Sequence, residues 1–224
     1  MQGATDVVSC GTTGEFASMN LDERKRVTEI VAEECHGLGV RVVCHISCCD
    51  VSSSIQLARH AQQVKCEAVL LLPPYYFHAA EPAGVEAFFE SVVRAVELPV
   101  FLYNFPKHTG NSIPADMYAR LAAAHTHIVG IKDSSGTLDS PLSFAAAVPS
   151  GKVFVGNDKA AAQVYAARLT GSITGASTCV PEPLIALAQA ASRHDAAAVA
   201  AAQQQINEWH ELLDSLSAVE IPKV

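Results

Sequence analysis

The strongest constraint on this chain is a repeat: strand-length apolar runs, each followed by a stretch with helical periodicity. The runs are Asp6 to Cys10, Arg41 to Ile46, Ala68 to Leu72, Val100 to Tyr103, Ile128 to Lys132, Lys152 to Val155 and Ser172 to Thr174. Between successive runs there is room for one crossover helix, the connection that joins parallel strands. The runs are continuously apolar, as strands covered on both faces should be. The intervening segments carry helix signals. Asn20 with Glu23 three residues later is an asparagine form of the capping box, and Leu21, Val27, Ile30 and Val31 follow on one face, with Gly37 and Gly39 beyond the end. Ser52 to Val64 and Pro82 to Val96 repeat the pattern, and Pro114 fits the first turn of another helix. From Pro181 onward the chain is Ala-rich and helical, with no strand.

A series of seven βα units predicts an α/β fold, a (β/α)8 TIM barrel short of one unit. A doubly wound sheet would want a Gly-x-Gly-x-x-Gly phosphate loop after its first strand, and GTTGE stands there instead. At 224 residues, 50% of them hydrophobic, the chain fits one large domain better than two small ones. The expected division is a barrel over residues 1–182 and a C-terminal helical segment over residues 183–224, the first incomplete at its N-terminus and the second truncated on the family resemblance given below.

Composition excludes several classes of function. The net charge is −8 and no basic run is present, so no nucleic-acid partner is expected. Apolar runs such as Ala68 to Pro74 are far shorter than the ~20 residues of a membrane helix. The 7 cysteines are odd in number and form no Cys-x-x-Cys pair, which predicts free thiols in a reducing, cytoplasmic setting. QGATDVV after Met1 has the character of neither a secretory nor a transit segment. No Asp/Glu/His cluster at metal spacing appears, so no metal is expected. His45, alone on its strand, reads as a structural histidine.

The stretch from His127 to Gly136, HIVGIKDSSG, ends a buried strand on Lys132 and continues into a polar turn. Barrels place their chemistry at such strand ends. From the residues alone, Lys132 is either a stem that snorkels to solvent or an attacking amine, and Lys107, after YNFP, is its rival. A lysine must be neutral to attack a carbonyl, and burial at a barrel mouth favours the neutral form of such a group.

GTTGE at Gly11 to Glu15, PPYY at Pro73 to Tyr76, YNFP at Tyr103 to Pro106 and KD at Lys132 and Asp133 occur in this order, each just after a strand run. The order resembles the pyruvate-dependent Schiff-base aldolase superfamily of N-acetylneuraminate lyase and dihydrodipicolinate synthase, over nearly the whole chain. Members begin with a strand and helix ahead of the GTTGE strand and continue further at the C-terminus, so both parts are expected to be missing here. The resemblance implies that Lys132 forms an imine with a 2-oxo acid such as pyruvate, with no other cofactor. It implies that Tyr103 donates and accepts protons, that Thr12 and Thr13 hold the substrate carboxylate and relay protons, and that Tyr76 completes the relay, in some relatives across a subunit interface. Ser134, Gly156, Asp158 and Ser177 are the implied contacts for the remainder of the substrate. Self-association, commonly into homotetramers, is also implied.

Two departures bear on specificity. Dihydrodipicolinate synthases carry an arginine two residues after the proline of the YN-x-P motif, and His108 stands there; an imidazole cannot form the bidentate pair with a carboxylate. Neuraminate lyases carry an acidic pair where this chain has Asp158 and Lys159. The expectation is a lyase that cleaves a 2-keto-3-deoxy sugar acid or a sialic acid to pyruvate and an aldehyde, with Lys159 or His108 meeting any second anionic group. A synthase-type condensation and a truncated, non-catalytic family member are the competing readings.

Overall fold

Each apolar run becomes a strand that hydrogen-bonds only to its sequence neighbours. In the computed structural model, which describes residues 3–215, the strands are β1 (Asp6–Ser9), β2 (Arg41–His45), β3 (Ala68–Leu71), β4 (Val100–Asn104), β5 (Ile128–Asp133), β6 (Lys152–Val155) and β7 (Gly171–Ser172). They form one 7-stranded sheet in the order β1 to β7, all pairs parallel. Among the described residues β1 and β7 do not pair with each other, so the curled sheet has an open seam. This is the expected barrel-like α/β architecture lacking one unit.

The helices are α1 (Leu21–His36), α2 (Val51–Gln63), α3 (Pro82–Val93), the single turn α4 (Pro106–Thr109), α5 (Ala115–Ala124), α6 (Asp139–Ala147), α7 (Ala161–Ala166), α8 (Pro181–Ser192) and α9 (Ala196–Ser215). The capping box of α1 is complete. Asn20 Oδ1 accepts from the amides of Asp22 and Glu23 at 2.9 and 3.0 Å, and Glu23 Oε2 accepts from the Asn20 amide at 2.8 Å. Pro114 stands one place earlier than expected, as the N-cap of α5, where its missing N–H costs no hydrogen bond. The last strand also sits earlier than its apolar run, although Ile173 still donates to the Val155 carbonyl at 3.0 Å. Residues 216–224 of the expected C-terminal segment lie outside the described residues.

Alternation along the strands sorts the core into two layers. Val42, Cys44, Val69, Leu71, Leu102 and Ile131 face the helices and meet Leu57, Phe89, Met117 and Phe144. Val43, Ala68, Leu70, Leu72, Phe101 and Tyr103 face the interior of the curl. A third cluster seats α8 and α9 against α7 through Leu184, Leu187, Ala202 and Ile206. Gly130 is required by close approach: a Cβ there would meet the Lys152 carbonyl oxygen and the Phe101 ring, the latter at 2.8 Å. Its absence lets Phe101 and Phe154 pack edge to face, 5.6 Å apart, beneath the end of β5. All seven cysteines are unpaired. Among the described residues no helix is long and apolar enough to cross a membrane.

Candidate active site

The register between β4 and β5 builds the centre of the site. Tyr103 lies beside Lys132, and Asn104 beside Asp133. Lys132 Nζ sits 4.2 Å from the centre of the Tyr103 ring, and Ser134 Oγ donates to the Tyr103 hydroxyl at 3.5 Å. Asp133, fully buried, anchors the two loops. Its carboxylate accepts from Asn104 Nδ2 at 2.6 Å, Ser135 Oγ at 2.6 Å, the Ser135 amide at 3.2 Å and Ser140 Oγ at 2.9 Å. Asn104 Oδ1 in turn accepts from the Ile113 amide at 3.0 Å. A carboxylate held by this many donors ties the β5 loop to the β4 loop, and Lys132 is the residue next to it.

The GTTGE turn approaches from β1. Cys10 and Glu15 flank it in the left-handed region, with φ of 53° and 57°, a conformation that costs a non-glycine residue about 1–3 kcal/mol unless its surroundings impose it. The Glu15 amide donates to Thr12 O at 3.0 Å and closes the turn. Thr12 Oγ1 is buried and has no partner among the described residues. Thr13 reaches the loop after β7, where a Cβ on Gly175 would stand 2.7 Å from Thr13 Oγ1.

Beneath the turn lies His45, with 1% of its surface exposed. Burial pushes its pKa well below the usual histidine value, with the nearby Arg24 guanidinium adding to the effect and a hydrogen bond to the Cys10 carbonyl opposing it. The sequence reading of His45 as structural agrees with this burial.

A cavity of about 1920 Å³ runs from these strand ends down the interior to the seam. Lys132, Tyr103, Thr12, Thr13, Ser134, Gly156 and Ser177 all line it. Its other charged lining residues, Asp6, Arg41, Glu67 and Lys152, lie at or beside the N-terminal ends of strands. Among the described lining residues, Lys132 is thus the one charge at the C-terminal ends.

Two expected site residues stand apart from the cavity. Tyr76 is 75% exposed and packs edge to face on Phe77 at 5.3 Å. Asp158 is buried under α9, where Oδ2 meets His210 Nε2 at 3.2 Å. The reason is local: Asn157 Oδ1 accepts from the Lys159 amide at 3.1 Å and starts a single 3-10 turn that carries Asp158 away from the cavity. Lys159 is paired with Asp214 at 3.1 Å, and His108 packs edge to face on Phe105 at 4.3 Å. The sequence reading missed Phe105, which lines the cavity and stacks on Tyr103 at 5.6 Å, and Ser140 on Asp133. Phe105 was visible as part of YNFP, whereas Ser140 had no signal.

The sequence model of the dihydrodipicolinate synthetase family matches residues 1–222. A 4-hydroxy-tetrahydrodipicolinate synthase of Methanopyrus kandleri is 32% identical over 189 residues, covering 84% of this chain and 62% of the relative. A probable 2-dehydro-3-deoxy-D-pentonate aldolase of Escherichia coli K12 is 30% identical over 227 residues, covering 100% of this chain and 73% of the relative. Among solved structures, a prophage protein of the dihydrodipicolinic acid synthase family from E. coli K12, in complex with pyruvate, superposes with a TM-score of 0.90 at 26% identity, covering 95% of this chain and 72% of that one. The chain therefore spans 62% to 73% of the length of these relatives.

Proposed function

The chain belongs to the dihydrodipicolinate synthetase family, and on that premise we propose that it is a class I aldolase cleaving a 2-oxo acid of 2-keto-3-deoxy sugar acid type to pyruvate and an aldehyde. Neutral Lys132 Nζ attacks the C2 carbonyl, and water leaves to give an iminium. The Tyr103 phenol gives its proton to the departing carbinolamine hydroxyl, and the phenolate so formed removes the proton from the C4 hydroxyl. The C3–C4 bond breaks, its electrons pass into the iminium, and an enamine and a free aldehyde result. Protonation at C3 and hydrolysis then release pyruvate and return the lysine. The unpartnered Thr12 Oγ1 and the neighbouring Thr13 supply donors for the substrate carboxylate. Tyr76 enters this proposal only as a residue that a second subunit's site receives, a role its exposure suits. Homo-oligomerisation and a cytoplasmic location belong to the same proposal.

One observation carries the choice of substrate class. At its reactive end the described cavity has a single cation, Lys132, amid the hydroxyls of Thr12, Thr13, Ser134 and Ser177. With the Thr12 and Thr13 donors given to the first carboxylate and Lys132 to the imine, a second carboxylate or phosphate would meet only serine hydroxyls and no countercharge, whereas a neutral polyol needs only such hydrogen-bonding groups. This disfavours the condensation of pyruvate with aspartate semialdehyde, which carries a carboxylate. The test is pyruvate release from 2-keto-3-deoxygluconate and from N-acetylneuraminate, beside pyruvate consumption with aspartate semialdehyde. Release from a sugar acid without consumption supports the aldolase. Consumption without release establishes the synthase instead, and silence in all three assays together with no borohydride-trapped pyruvate overturns the aldolase reading.

A further inference from the structure

The candidate site leaves one buried titratable group without a role, and its hydrogen bonds define its protonation state. His45 Nδ1 lies 2.9 Å from the Cys10 carbonyl oxygen. A carbonyl only accepts, so Nδ1 carries the hydrogen. His45 Nε2 lies 2.8 Å from Ser47 Oγ, and in the neutral ring it must accept, so the Ser47 hydroxyl donates to it. The Ser47 oxygen then accepts from the Leu72 amide at 2.7 Å. Leu72 N–H, Ser47 O–H and His45 Nδ1–H thus run in one direction, from the end of β3 through the loop after β2 to the last residue before the GTTG turn. Each donor is used once, and an imidazolium would leave the Ser47 hydrogen without its acceptor.

The position of this chain matters for the site. Cys10 holds the left-handed φ of 53° that launches the turn, and among the described residues no other side chain donates to its carbonyl. The His45 ring packs edge to face against Phe16 at 4.4 Å and against Tyr103 at 6.1 Å, so it is wedged between the far side of the turn and the reacting tyrosine. Arg24 fixes the His45 backbone from behind, donating to the His45 carbonyl at 2.6 Å and to that of Ser47 at 2.8 Å.

We propose that His45 is a positioning residue whose neutral Nδ1–H tautomer sets the Thr12–Thr13 turn for binding of the substrate carboxylate. The inference rests on the threonines having the binding role given above. It assigns His45 an effect on substrate affinity that exceeds its effect on the chemical step, because the ring does not line the cavity and is tied to the turn through the Cys10 carbonyl.

Two measurements on the full chain test it. The first is ¹⁵N NMR of histidine-labelled protein from pH 5 to 8, with His45 assigned by the loss of its signal in His45→Asn. A constant Nδ1–H tautomer is expected, and an Nε2–H tautomer or an imidazolium in this range overturns the proposal. The second compares His45→Asn, whose amide nitrogen replaces Nδ1, with His45→Gln, which is nearer the ring in volume but reaches toward Ser47. The readout is the pyruvate concentration that half-saturates borohydride trapping. Asn should stay within about 3-fold of wild type and Gln should rise about 10-fold or more, with trapping at saturation changing less. A role in filling space would favour Gln over Asn and would overturn the proposal. If one variant fails to fold, the loss of signal in the other assigns His45, and the wild-type tautomer decides. If wild type traps no pyruvate, the Schiff-base reading falls, and the tautomer still decides whether His45 holds the turn.

Discussion

Gly156→Ala tests the site with a single methyl group. The new Cβ would press directly on Ser134 Oγ and stand 3.3 Å from Lys132 Cε. The serine hydroxyl would have to rotate away, losing its 3.5 Å hydrogen bond to the Tyr103 hydroxyl, and a net hydrogen bond is worth about 0.5–1.5 kcal/mol. The lysine stem would shift by a few tenths of an ångström, and an off-rotamer side chain costs about 0.5–1.5 kcal/mol. Together these are about 1–3 kcal/mol, or roughly 5- to 150-fold in kcat/KM if both effects fall on the transition state. Folding should suffer little. Gly156 is not in the left-handed region, and alanine lowers the entropy of the unfolded chain by about 0.4–1 kcal/mol. The assay pairs steady-state pyruvate release with thermal unfolding. A kcat/KM within about 2-fold of wild type would refute the placement of Gly156 against the reacting lysine, and a collapse in Tm would show that the glycine serves folding instead.

Gly130→Ala should do the reverse, with the methyl driven into the Lys152 carbonyl and the Phe101 ring; overpacking of this kind costs about 1–3 kcal/mol, read as a lower urea midpoint. Tyr118→Phe should be neutral or stabilising by about 1 kcal/mol, because the Tyr118 hydroxyl is buried with no partner among the described residues. Burial also pushes the Tyr118 phenol up to about 12. The folded state therefore holds this proton more tightly than the unfolded chain, and wild type should lose stability between about pH 10 and 12 more steeply than the variant. A less stable variant, or parallel alkaline profiles, would contradict this. Asn20→Ala should cost about 1 kcal/mol in urea unfolding through loss of the α1 cap.

What could be read from the sequence follows from how local its causes are. The strands were legible because burial on both faces makes them continuously apolar, and α1 because its cap is satisfied by residues three apart. Lys132, Tyr103 and the threonines were legible as a group through the order of GTTGE, YNFP and KD and the family resemblance it carries, each motif standing at a strand end that the curled parallel sheet brings together. Asp158 was not, since its direction depends on the Asn157 turn and on His210, far away in the chain. Asp133 was visible as half of the KD pair, but its role required Asn104 and Ser140 to meet it. His45 was read as structural from its isolation. Its directional links to Cys10 and Ser47 appear only once the β1 and β2 ends lie side by side.

Borohydride reduction of the full chain with pyruvate, read by intact mass and peptide mapping, tests the central claim most directly. The account predicts one covalent pyruvyl adduct per chain, located on Lys132 and absent from Lys132→Ala. An adduct on Lys107, an adduct that persists in Lys132→Ala, or no adduct from folded protein would contradict it.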